Sequence, residues 1–487
     1  MNLEVKPNVL LVILDGVRAK STSLHGYERE TTPFLQSFAE QATVYEQARS
    51  PGVESLSSHT SILTGYHVPE HNITSADRTL KEGELIWESL RLEDEYKTGV
   101  FTENPFLTKG TLAKEIAYDT IVNWQAEYPF PEGVDPKSFV ENGSPNIYEY
   151  LKACIRNRHP IGSLFNGVAL QSEASFPSLL PDRFRSKAAA KTYADAFLEW
   201  EAEQSGPWGA CINLMDAHMP YSPNKEFNLW DDGSSLKLQS KIQNTLWEFN
   251  CGHRPLEQLH ALNDLYDGAI RQMDAQIEYI VNRLANRGEL ENTLLVVTAD
   301  HGEGFGERSR IRDDTPVVAH GAANIHEVVT HVPLVVKYPG QTAGERIKKP
   351  ATLTRFPAVA RATIAGEEAP SFVPEDGIVV SHVAGEQTPK IHDKIHDYCD
   401  DISPFTGTGR AVYEPNDDGS VTKYVTWGTE SATIRIKDSQ TATITAEDED
   451  GKVDHVYEKL TDKDVRQADE DQIDDATREH LKDLGYA

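Results

Sequence analysis

The feature that most constrains the fold is a continuous apolar run near the start of the chain, "NVLLVILD", at residues 8–15. A strand without polar alternation is typical of a parallel sheet whose two faces are both covered by helices. Other apolar segments of this kind alternate along the chain with segments of helical spacing. They are "KTGVFTEN", "WGACINLMDAH", "NTLLVVTADHG" and "HVPLVVKYPG", and the clearest helix is "LYDGAIRQMDAQIEYIVNRLANRG". This alternation predicts an α/β fold with a doubly wound, mostly parallel sheet.

The pattern changes after about residue 405. Segments such as "RAVYEPNDDGSVTKYVTWG" and "SATIRIKD" alternate polar and apolar residues between Asp-Gly and Gly turns. They predict a small antiparallel sheet, followed by a terminal helix at "DATREHLKDLGYA". We therefore expect a large α/β domain over residues 1–404 and a smaller C-terminal subdomain over 405–487. The stretch 126–190 is rich in Pro, Gly, Asn and Ser, and we expect insertion loops there that shape a pocket.

The charge of the chain disfavours two classes of partner over most of its surface. Its 77 acidic and 47 basic residues give a net charge of −30. Such a surface repels nucleic acid and anionic lipid outside any local basic pocket. A salt-loving organism would explain the acidity without any function, and an ordinary acidic protein is the alternative. No apolar run approaches the roughly 18 residues of a membrane span. The N-terminus lacks the pattern of an export signal, so we expect a cytoplasmic protein.

The four cysteines give no sign of a metal or disulfide framework. Cys154, Cys211, Cys251 and Cys399 are far apart in sequence and form no CxxC pair. We expect them to be buried free thiols.

Candidate metal ligands follow two of the predicted strands. Asp15 ends the first strand, and Asp300 with His301 ends a later one. Ligands of doubly wound sheets bind at the carboxyl ends of the strands, where residues distant in sequence converge. Two carboxylates and one imidazole suit one divalent cation such as Mn²⁺, Mg²⁺, Zn²⁺ or Ca²⁺. The alternative interpretation is that the two acids only form turns after strands.

A second candidate motif is "ESLSSHTSILTG", at residues 54–65. If residues 56–64 form a helix, Ser55, Ser58 and His59 share one face of it. Ser55 would then lie at the first turn, where free N–H groups favour an anion, and a nearby metal would ease formation of its alkoxide. His59 could donate to a substrate oxygen or orient the serine. The alternative is that Ser55 only caps the helix.

Seven segments in order along the chain resemble the sulfatase family, within the alkaline-phosphatase-like superfamily. They are "NVLLVILDGVRA…LHGYERETTPFL", "ESLSSHTSILTG", "MDAHMPYSP", "YDGAIRQMD", "VVTADHGEGFGE", "HGAANIHEVVTHVPLVVKYPG" and "LKDLGYA". The resemblance implies an alkaline-phosphatase-like α/β core with a small C-terminal sheet subdomain. It also implies hydrolysis of a sulfate- or phosphate-type ester at one divalent cation.

The resemblance also implies roles for individual residues. The positions that match the metal ligands are Asp15, Asp300 and His301, and Ser55 matches the nucleophile, whose side chain also touches the metal. His218 and His320 match positions that hold the transferred group or protonate the leaving oxygen.

The chain departs from the family pattern around the nucleophile. Sulfatases usually carry a Cys-x-Pro-Ser-x-Arg motif, or its serine version, whose first residue is oxidised to formylglycine. Here Ser57 replaces the proline, and His59 and Thr60 stand near the place of the arginine. Asp15 is also followed by Gly16 where the family often has a second acid. The sequence "DGVR" instead resembles the Asp-x-x-Arg of phosphonate and phosphodiester hydrolases in the superfamily.

These departures leave two substrate classes open, sulfate esters and phosphate-type esters. Formylglycine hydrate can expel sulfate by re-forming its carbonyl, whereas unmodified serine needs a second displacement, which phosphoryl groups tolerate well. Three cationic or donor side chains could neutralise the remaining substrate oxygens, namely Arg18, His59 and, least clearly, Lys109.

We predict hydrolysis of a sulfate ester by a metal-bound nucleophile at Ser55, either unmodified or converted to formylglycine. The close alternative is a phosphodiester or phosphonate monoester hydrolase, or a phosphotransferase, that uses unmodified Ser55. A second alternative is a non-catalytic family member that binds a glycan. The expected partner is a small-molecule or glycan sulfate or phosphate ester, with no nucleic acid and no membrane span. The sequence gives no oligomeric state.

Overall fold

The structure is a computed structural model of the 487-residue chain. It describes residues 6–467 except 77, 111, 124–129, 131, 135, 142–143, 176–189, 313–314, 322–323, 368–369 and 385–394. The terminal helix predicted at "DATREHLKDLGYA" lies outside the described residues.

The strands, in chain order, are β1 Asn8–Leu14, β2 Thr43–Arg49, β3 Lys97–Phe101, β4 Thr120–Val122, β5 Val140–Glu141, β6 Ser144–Pro145, β7 Trp208–Leu214, β8 Thr293–Thr298, β9 Gly304–Arg308, β10 Pro316–Ala319, β11 Leu334–Lys337, β12 Glu345–Thr352, β13 Val380–Val383, β14 Gly409–Pro415, β15 Val421–Trp427, β16 Glu430–Ile436 and β17 Ala442–Ala446. The α-helices are α1 Pro33–Phe38, α2 Ser55–Thr64, α3 Val68–His71, α4 Ile86–Leu92, α5 Pro105–Thr108, α6 Ile147–Arg156, α7 Pro160–Ser175, α8 Ala190–Ala202, α9 Ser234–Gln239, α10 Thr245–Asn250, α11 Gln258–Arg287, α12 Glu327–Thr330, α13 Phe356–Ile364 and α14 Lys452–Tyr457.

The main sheet has eight strands in the order β12-β2-β11-β8-β1-β7-β3-β4. β1 pairs in parallel with β7 and β8, and β11 runs antiparallel to both β8 and β2. Every residue of β1, β7 and β8 is buried, as expected for central strands covered on both faces. The predicted α/β fold with a mostly parallel sheet is therefore confirmed.

The sheet brings the chemistry-bearing segments to one edge. β1, β7 and β8 are neighbours, with Leu14 opposite Leu214 and Ile13 opposite Thr298. The residues that follow these strands, including Asp15 and Asp300, therefore meet although they are 285 positions apart. This is the edge at which doubly wound sheets bind ligands.

A second, five-stranded sheet has the order β13-β14-β15-β16-β17, and its pairings are all antiparallel. Its strands β14 to β17 lie where the alternating pattern predicted a small antiparallel sheet. The remaining strand, β13, precedes residue 405 in sequence and so lies outside the predicted C-terminal subdomain. The division of the chain at residues 404 and 405 stays a prediction.

The expectation of four free thiols is wrong for two of them. Cys251, which follows α10, forms a disulfide with Cys399, and their Cα atoms lie 5.3 Å apart. The pair is separated by 148 residues, and sequence spacing alone does not reveal such a connection. Cys154 and Cys211 are free and buried. Because disulfides are rare in the cytosol, this bond weighs against the predicted cytoplasmic location, which stays a prediction.

The composition of the stretch 126–190 predicted insertion loops. Its described part contains the helices α6 and α7, which pack on each other. Within the residues that the structure describes, no helix combines the length and apolar character needed to cross a membrane.

Candidate active site

Three buried side chains meet at the carboxyl edge of the main sheet. One ligand atom each from Asp15, Asp300 and His301 lies within 4.8 Å of the others. All three residues are fully buried. We call this group the metal cluster, because its two carboxylates and one imidazole are the donor set that divalent cations use.

Neutral donors hold the two carboxylates of the metal cluster in place. Oδ2 of Asp15 receives the Nδ2–H groups of Asn213 at 3.3 Å and of Asn104 at a longer 3.5 Å. Oδ1 of Asp300 receives the backbone N–H groups of Gly16 and His301. Burial opposes the charge on Asp300, but the nearby histidines and these N–H groups hold its pKa below the ordinary value.

His301 is oriented as a metal ligand requires. Its Nδ1 lies 3.1 Å from the carbonyl oxygen of Gly302, which can only accept, so Nδ1 carries the proton and Nε2 offers a lone pair. Burial lowers the pKa of His301 to about 4, against the opposing charge of Asp300. The ring is therefore neutral at pH 7, with Nε2 directed toward Ser55.

Ser55 lies at the first turn of α2, as the motif predicted, and its hydroxyl joins the metal cluster. Its Oγ is 3.2 Å from Nε2 of His301 and 3.5 Å from Oδ2 of Asp15. The capping position belongs to Glu54, whose side chain makes no cap hydrogen bond. Ser55 therefore does not act only as a helix cap. The helix ends at Gly65, whose φ of 85° is the left-handed conformation of a C-cap.

The other hydroxyls of this stretch fix α2 against the metal cluster. Ser58 donates to the backbone carbonyl of Asp300 at 2.5 Å, and Ser50 donates to the same oxygen. Ser61 contacts Nε2 of His71 at 2.9 Å. All residues from Ser55 to Leu63 are buried. The hydroxyls of this helix therefore form hydrogen bonds inside the protein and do not face solvent.

His320 stacks on His301 with ring centroids 4.3 Å apart. Its Nδ1 lies 2.8 Å from Oε2 of Glu303, a buried carboxylate. Burial disfavours a positive charge on His320, but Glu303 and, more weakly, Asp15 and Asp300 raise its pKa to about 9. The imidazole is therefore protonated at neutral pH, and it has an Nε2–H that can be donated.

His218, four residues after the end of β7, approaches the same group. Its ring lies 5.4 Å from that of His320, edge to face. Its Nδ1 is 2.9 Å from the carbonyl oxygen of Met219, so this nitrogen carries the proton in the neutral ring. His218 therefore lies beside His320 with its Nδ1 bound to the backbone.

The guanidinium of Arg18 is hydrogen-bonded to neighbouring protein groups, and its predicted charge-neutralising role stays a prediction. Its guanidinium donates to the carbonyl of Glu303, to Glu307 at 2.5 Å and to Asn263 at 2.9 Å, while its Nε–H donates to Ser21. These contacts involve all three nitrogens, so Arg18 supports the loop that carries Glu303.

His59 and Lys109 differ sharply in position. His59 is buried beneath the metal cluster, with Nδ1 2.7 Å from the carbonyl of Ser55 and 3.4 Å from Oδ2 of Asp300. It is therefore placed to orient the serine. Lys109 follows α5 with an exposed side chain, and the described part of the chain gives that side chain no hydrogen bond or ion pair.

Several residues of the site were missed from the sequence. Asn104 lies three residues after the end of β3, so a search of the strand ends could have found it. Asn213 lies inside β7 and gives no such signal. Glu303 belongs to the "DHGEGFGE" segment, but its contact with His320 is seen only in the folded structure.

Glu54, which precedes α2, is a further buried acid near the site. Burial raises the pKa of Glu54 to about 7, although the charge on His320 opposes this rise.

Comparison with known proteins identifies the family of this chain. The sulfatase family model matches residues 7–360. The chain is 22% identical over 353 residues to the arylsulfatase of Clostridium perfringens (strain 13 / Type A), covering 69% of each protein. It is 21% identical over 365 residues to the iduronate 2-sulfatase of Homo sapiens, covering 69% of this chain and 60% of that protein.

A solved structure of similar fold is the phosphonate monoester hydrolase of Agrobacterium radiobacter. It matches with a TM-score of 0.60 and 17% identity, over 93% of this chain and 94% of that chain. This likeness confirms the alkaline-phosphatase-like fold. The family model spans well over half of the 487 residues. The chain therefore belongs to the sulfatase family.

Proposed function

We propose that this protein hydrolyses a sulfate ester of a small molecule or glycan, with Ser55 as the nucleophile and one divalent cation at Asp15, Asp300 and His301. The observation that carries the proposal is the position of the Ser55 hydroxyl, 3.2 Å from Nε2 of His301 and 3.5 Å from Oδ2 of Asp15. A serine that touches two of the three candidate ligands is placed to share a cation with them.

The donor set fits a divalent cation, because two buried carboxylates and a neutral imidazole converge within 4.8 Å. Ca²⁺, Mn²⁺, Mg²⁺ and Zn²⁺ all remain candidates for such a set. When bound, the cation would lower the pKa of the Ser55 hydroxyl and offset the charge of the ester oxygens.

The residues around Ser55 have separate parts in the reaction. Ser55 Oγ attacks sulfur in line with the leaving oxygen, and the N–H groups at the start of α2 favour the negative charge that develops. His59 fixes the backbone of Ser55. His320 is better placed than His218 to give a proton to the departing alcohol, because Glu303 keeps His320 protonated.

The state of Ser55 decides how the second half of the reaction proceeds. If Ser55 is converted to formylglycine, the hydrate releases sulfate when its carbonyl re-forms. If it stays a serine, water must cleave the ester formed on Oγ. The second candidate function, hydrolysis of a phosphodiester or phosphonate monoester, is favoured by Ser57 and His59, which depart from the motif that directs formylglycine formation.

The test is mass spectrometry of the peptide that contains Ser55, combined with assays on 4-nitrophenyl sulfate, bis(4-nitrophenyl) phosphate and a phenylphosphonate monoester. A loss of two hydrogens at Ser55 with sulfate release supports the proposal. An unmodified serine with phosphoester release supports the second candidate.

A matched pair of variants separates chemistry from folding. Ser55→Ala removes the proposed nucleophile. Ser57→Ala instead removes a buried hydroxyl of the same helix whose hydrogen bond, among the described residues, goes to the carbonyl of Glu54. We expect turnover to vanish in the first and persist in the second. Equal turnover in both variants, or tight binding of the esters without any turnover in the native protein, would contradict an enzyme that uses Ser55.

A further inference from the structure

The helices α6 and α7 expose a concentration of large apolar side chains. On α6, Ile147, Leu151 and Ile155 are spaced by four residues, and Tyr148 lies beside them. This spacing places them along one face of the helix. Their exposed fractions are 58%, 43%, 77% and 75% in that order. Single exposed apolar residues need no explanation, but a contiguous stripe does.

The second helix continues the stripe. On α7, the exposed residues are Ile161, Leu164, Phe165 and Val168, with the three- and four-residue spacing of one helical face. Together with the stripe on α6 they form what we call the hairpin patch. These eight residues account for most of the large apolar side chains that are exposed among the described residues.

The opposite faces of the two helices are well packed, so the exposure of the hairpin patch is not the result of a loose hairpin. Tyr150 donates to the carbonyl of Ser163, which joins α6 to α7. Asn166 exchanges two hydrogen bonds with the backbone of Phe130, at 2.9 and 3.1 Å. Cys154 is completely buried. The hairpin therefore holds its own shape while it presents an apolar face outward.

The charge beside the hairpin patch is opposite to that of the whole protein. Over the whole hairpin, residues 147–175, the chain has Lys152, Arg156 and Arg158 against Glu149 and Glu173, a local charge of +1 in a chain of net charge −30. Glu149 is already paired with Lys152 at 3.1 Å. Arg156 and Arg158 are both exposed, and neither has an ion-pair partner among the described residues. An apolar face with a cationic border is the pattern of helices that lie in an anionic membrane surface.

We propose that the hairpin patch docks this protein onto the surface of a bilayer that contains anionic phospholipid. The occupant is a membrane rather than a second copy, because two copies of this face would bring their unpaired arginines together. Docking is peripheral, since α6 has ten residues and a spanning helix needs about 20. The acidic remainder of the protein then faces away from the lipid, which orients the molecule on the membrane.

The test is co-sedimentation of the full chain with vesicles, in a buffer in which circular dichroism shows it to be folded. One set of vesicles is phosphatidylcholine alone, and the other is an equal mixture of phosphatidylcholine and phosphatidylglycerol. We expect binding to the mixed vesicles and at least tenfold weaker binding by Ile147→Asp/Ile155→Asp. Arg156→Gln/Arg158→Gln should weaken binding to the mixed vesicles by about tenfold and leave binding to phosphatidylcholine unchanged.

Two control variants match these changes elsewhere on the surface. Leu92→Asp alters an apolar side chain that is 60% exposed at the end of α4, and Lys348→Gln/Lys349→Gln removes two exposed cations on β12. Both should bind like the native protein. Binding that falls equally in the controls, or no binding to either kind of vesicle, would overturn the proposal. So would a dimer in sedimentation equilibrium that Ile147→Asp/Ile155→Asp dissociates, since it would assign the patch to a second copy.

Discussion

Two buried polar clusters in this protein are built on opposite principles. The Glu327 cluster consists of Glu327 in α12, Lys423 on β15 and Arg310 after β9, with the carboxylate 2.8 Å from Lys423 and 3.1 Å from Arg310. The metal cluster instead gathers Asp15 and Asp300 around a neutral His301. One cluster pairs its acid with basic side chains, and the other surrounds its acids with neutral amides, backbone N–H groups and imidazoles.

The difference shows what each cluster is for. Burying a carboxylate is costly unless it is paired and hydrogen-bonded. The Glu327 cluster meets that condition with side chains alone, and it joins the C-terminal sheet to the rest of the protein. The metal cluster keeps its two acids together beside a nucleophile, an arrangement that a bound cation would stabilise. We therefore interpret the first as a structural pair and the second as a functional site.

The largest expected effect comes from removing one charge of the metal cluster. Asp300→Asn keeps the shape of the side chain but weakens its hold on a cation, so we expect loss of bound metal and a fall in turnover of at least about a thousandfold. Metal content by plasma mass spectrometry and ester hydrolysis measure the two effects. The control is Asp274→Asn, another buried acid, which binds the backbone N–H groups of Phe34 and Leu35. A variant Asp300→Asn that keeps metal and rate would refute the assignment.

Removing the acid of the Glu327 cluster should have the contrasting result. Glu327→Gln leaves Lys423 buried without its counter-charge, and we expect the free energy of unfolding to fall by about 3 kcal/mol with an unchanged rate per folded molecule. Denaturant titration measures the loss. Glu414→Gln breaks a half-exposed pair with Lys452 and should cost less than about 1 kcal/mol. Similar losses in both variants would show that the buried pair contributes no more to the free energy of unfolding than the half-exposed one.

A smaller effect on rate is expected from replacing Glu303, which positions His320, the proposed general acid. Glu303→Gln keeps an acceptor for Nδ1 of His320 but removes the charge that favours its protonated form. We expect a ten- to hundredfold fall in kcat with little change in KM. The pH at which kcat declines on the alkaline side should also move down, because the pKa of His320 would fall from about 9. An unchanged pH profile would show that Glu303 does not keep His320 protonated.

The smallest effect is the pH dependence of the Glu327 cluster. Burial disfavours the charged carboxylate, but Lys423, His326 and Arg310 hold the pKa of Glu327 well below its ordinary value of 4.5. A lowered pKa in the folded protein adds stability that is fully present above pH 4.5 and is lost as the pH falls further. The stability difference between native protein and Glu327→Gln should therefore be constant from pH 7 to 5 and shrink below 4.5. A difference that grows on acidification would reverse the sign we assign.

The convergence of Asp15, Asp300 and His301 and the position of α2 could be predicted from the sequence because their signals are local. "NVLLVILD" and "NTLLVVTADHG" are buried strands that end in acids, and parallel pairing brings such ends together. The position of Ser55 followed from one helical turn and a C-terminal glycine. The small sheet was equally visible, because its alternation and Asp-Gly turns are short-range features.

What the sequence did not predict depends on contacts between distant segments. Arg18 could be placed near the site from its motif, but only the fold shows its guanidinium bound to Glu307 and Asn263. The Cys251–Cys399 bond closes across 148 residues without any spacing signal. The Glu327 cluster pairs a helix with a strand about 96 positions later. Such pairings are fixed by tertiary packing rather than by local preference.

The central claim is that Asp15, Asp300 and His301 hold one divalent cation beside the hydroxyl of Ser55. Anomalous diffraction from crystals grown with Mn²⁺ tests it directly. We expect a single strong peak between about 2.0 and 2.6 Å from an oxygen of each aspartate, Nε2 of His301 and Oγ of residue 55. A peak elsewhere, or no peak between these side chains at saturating Mn²⁺, would contradict the claim.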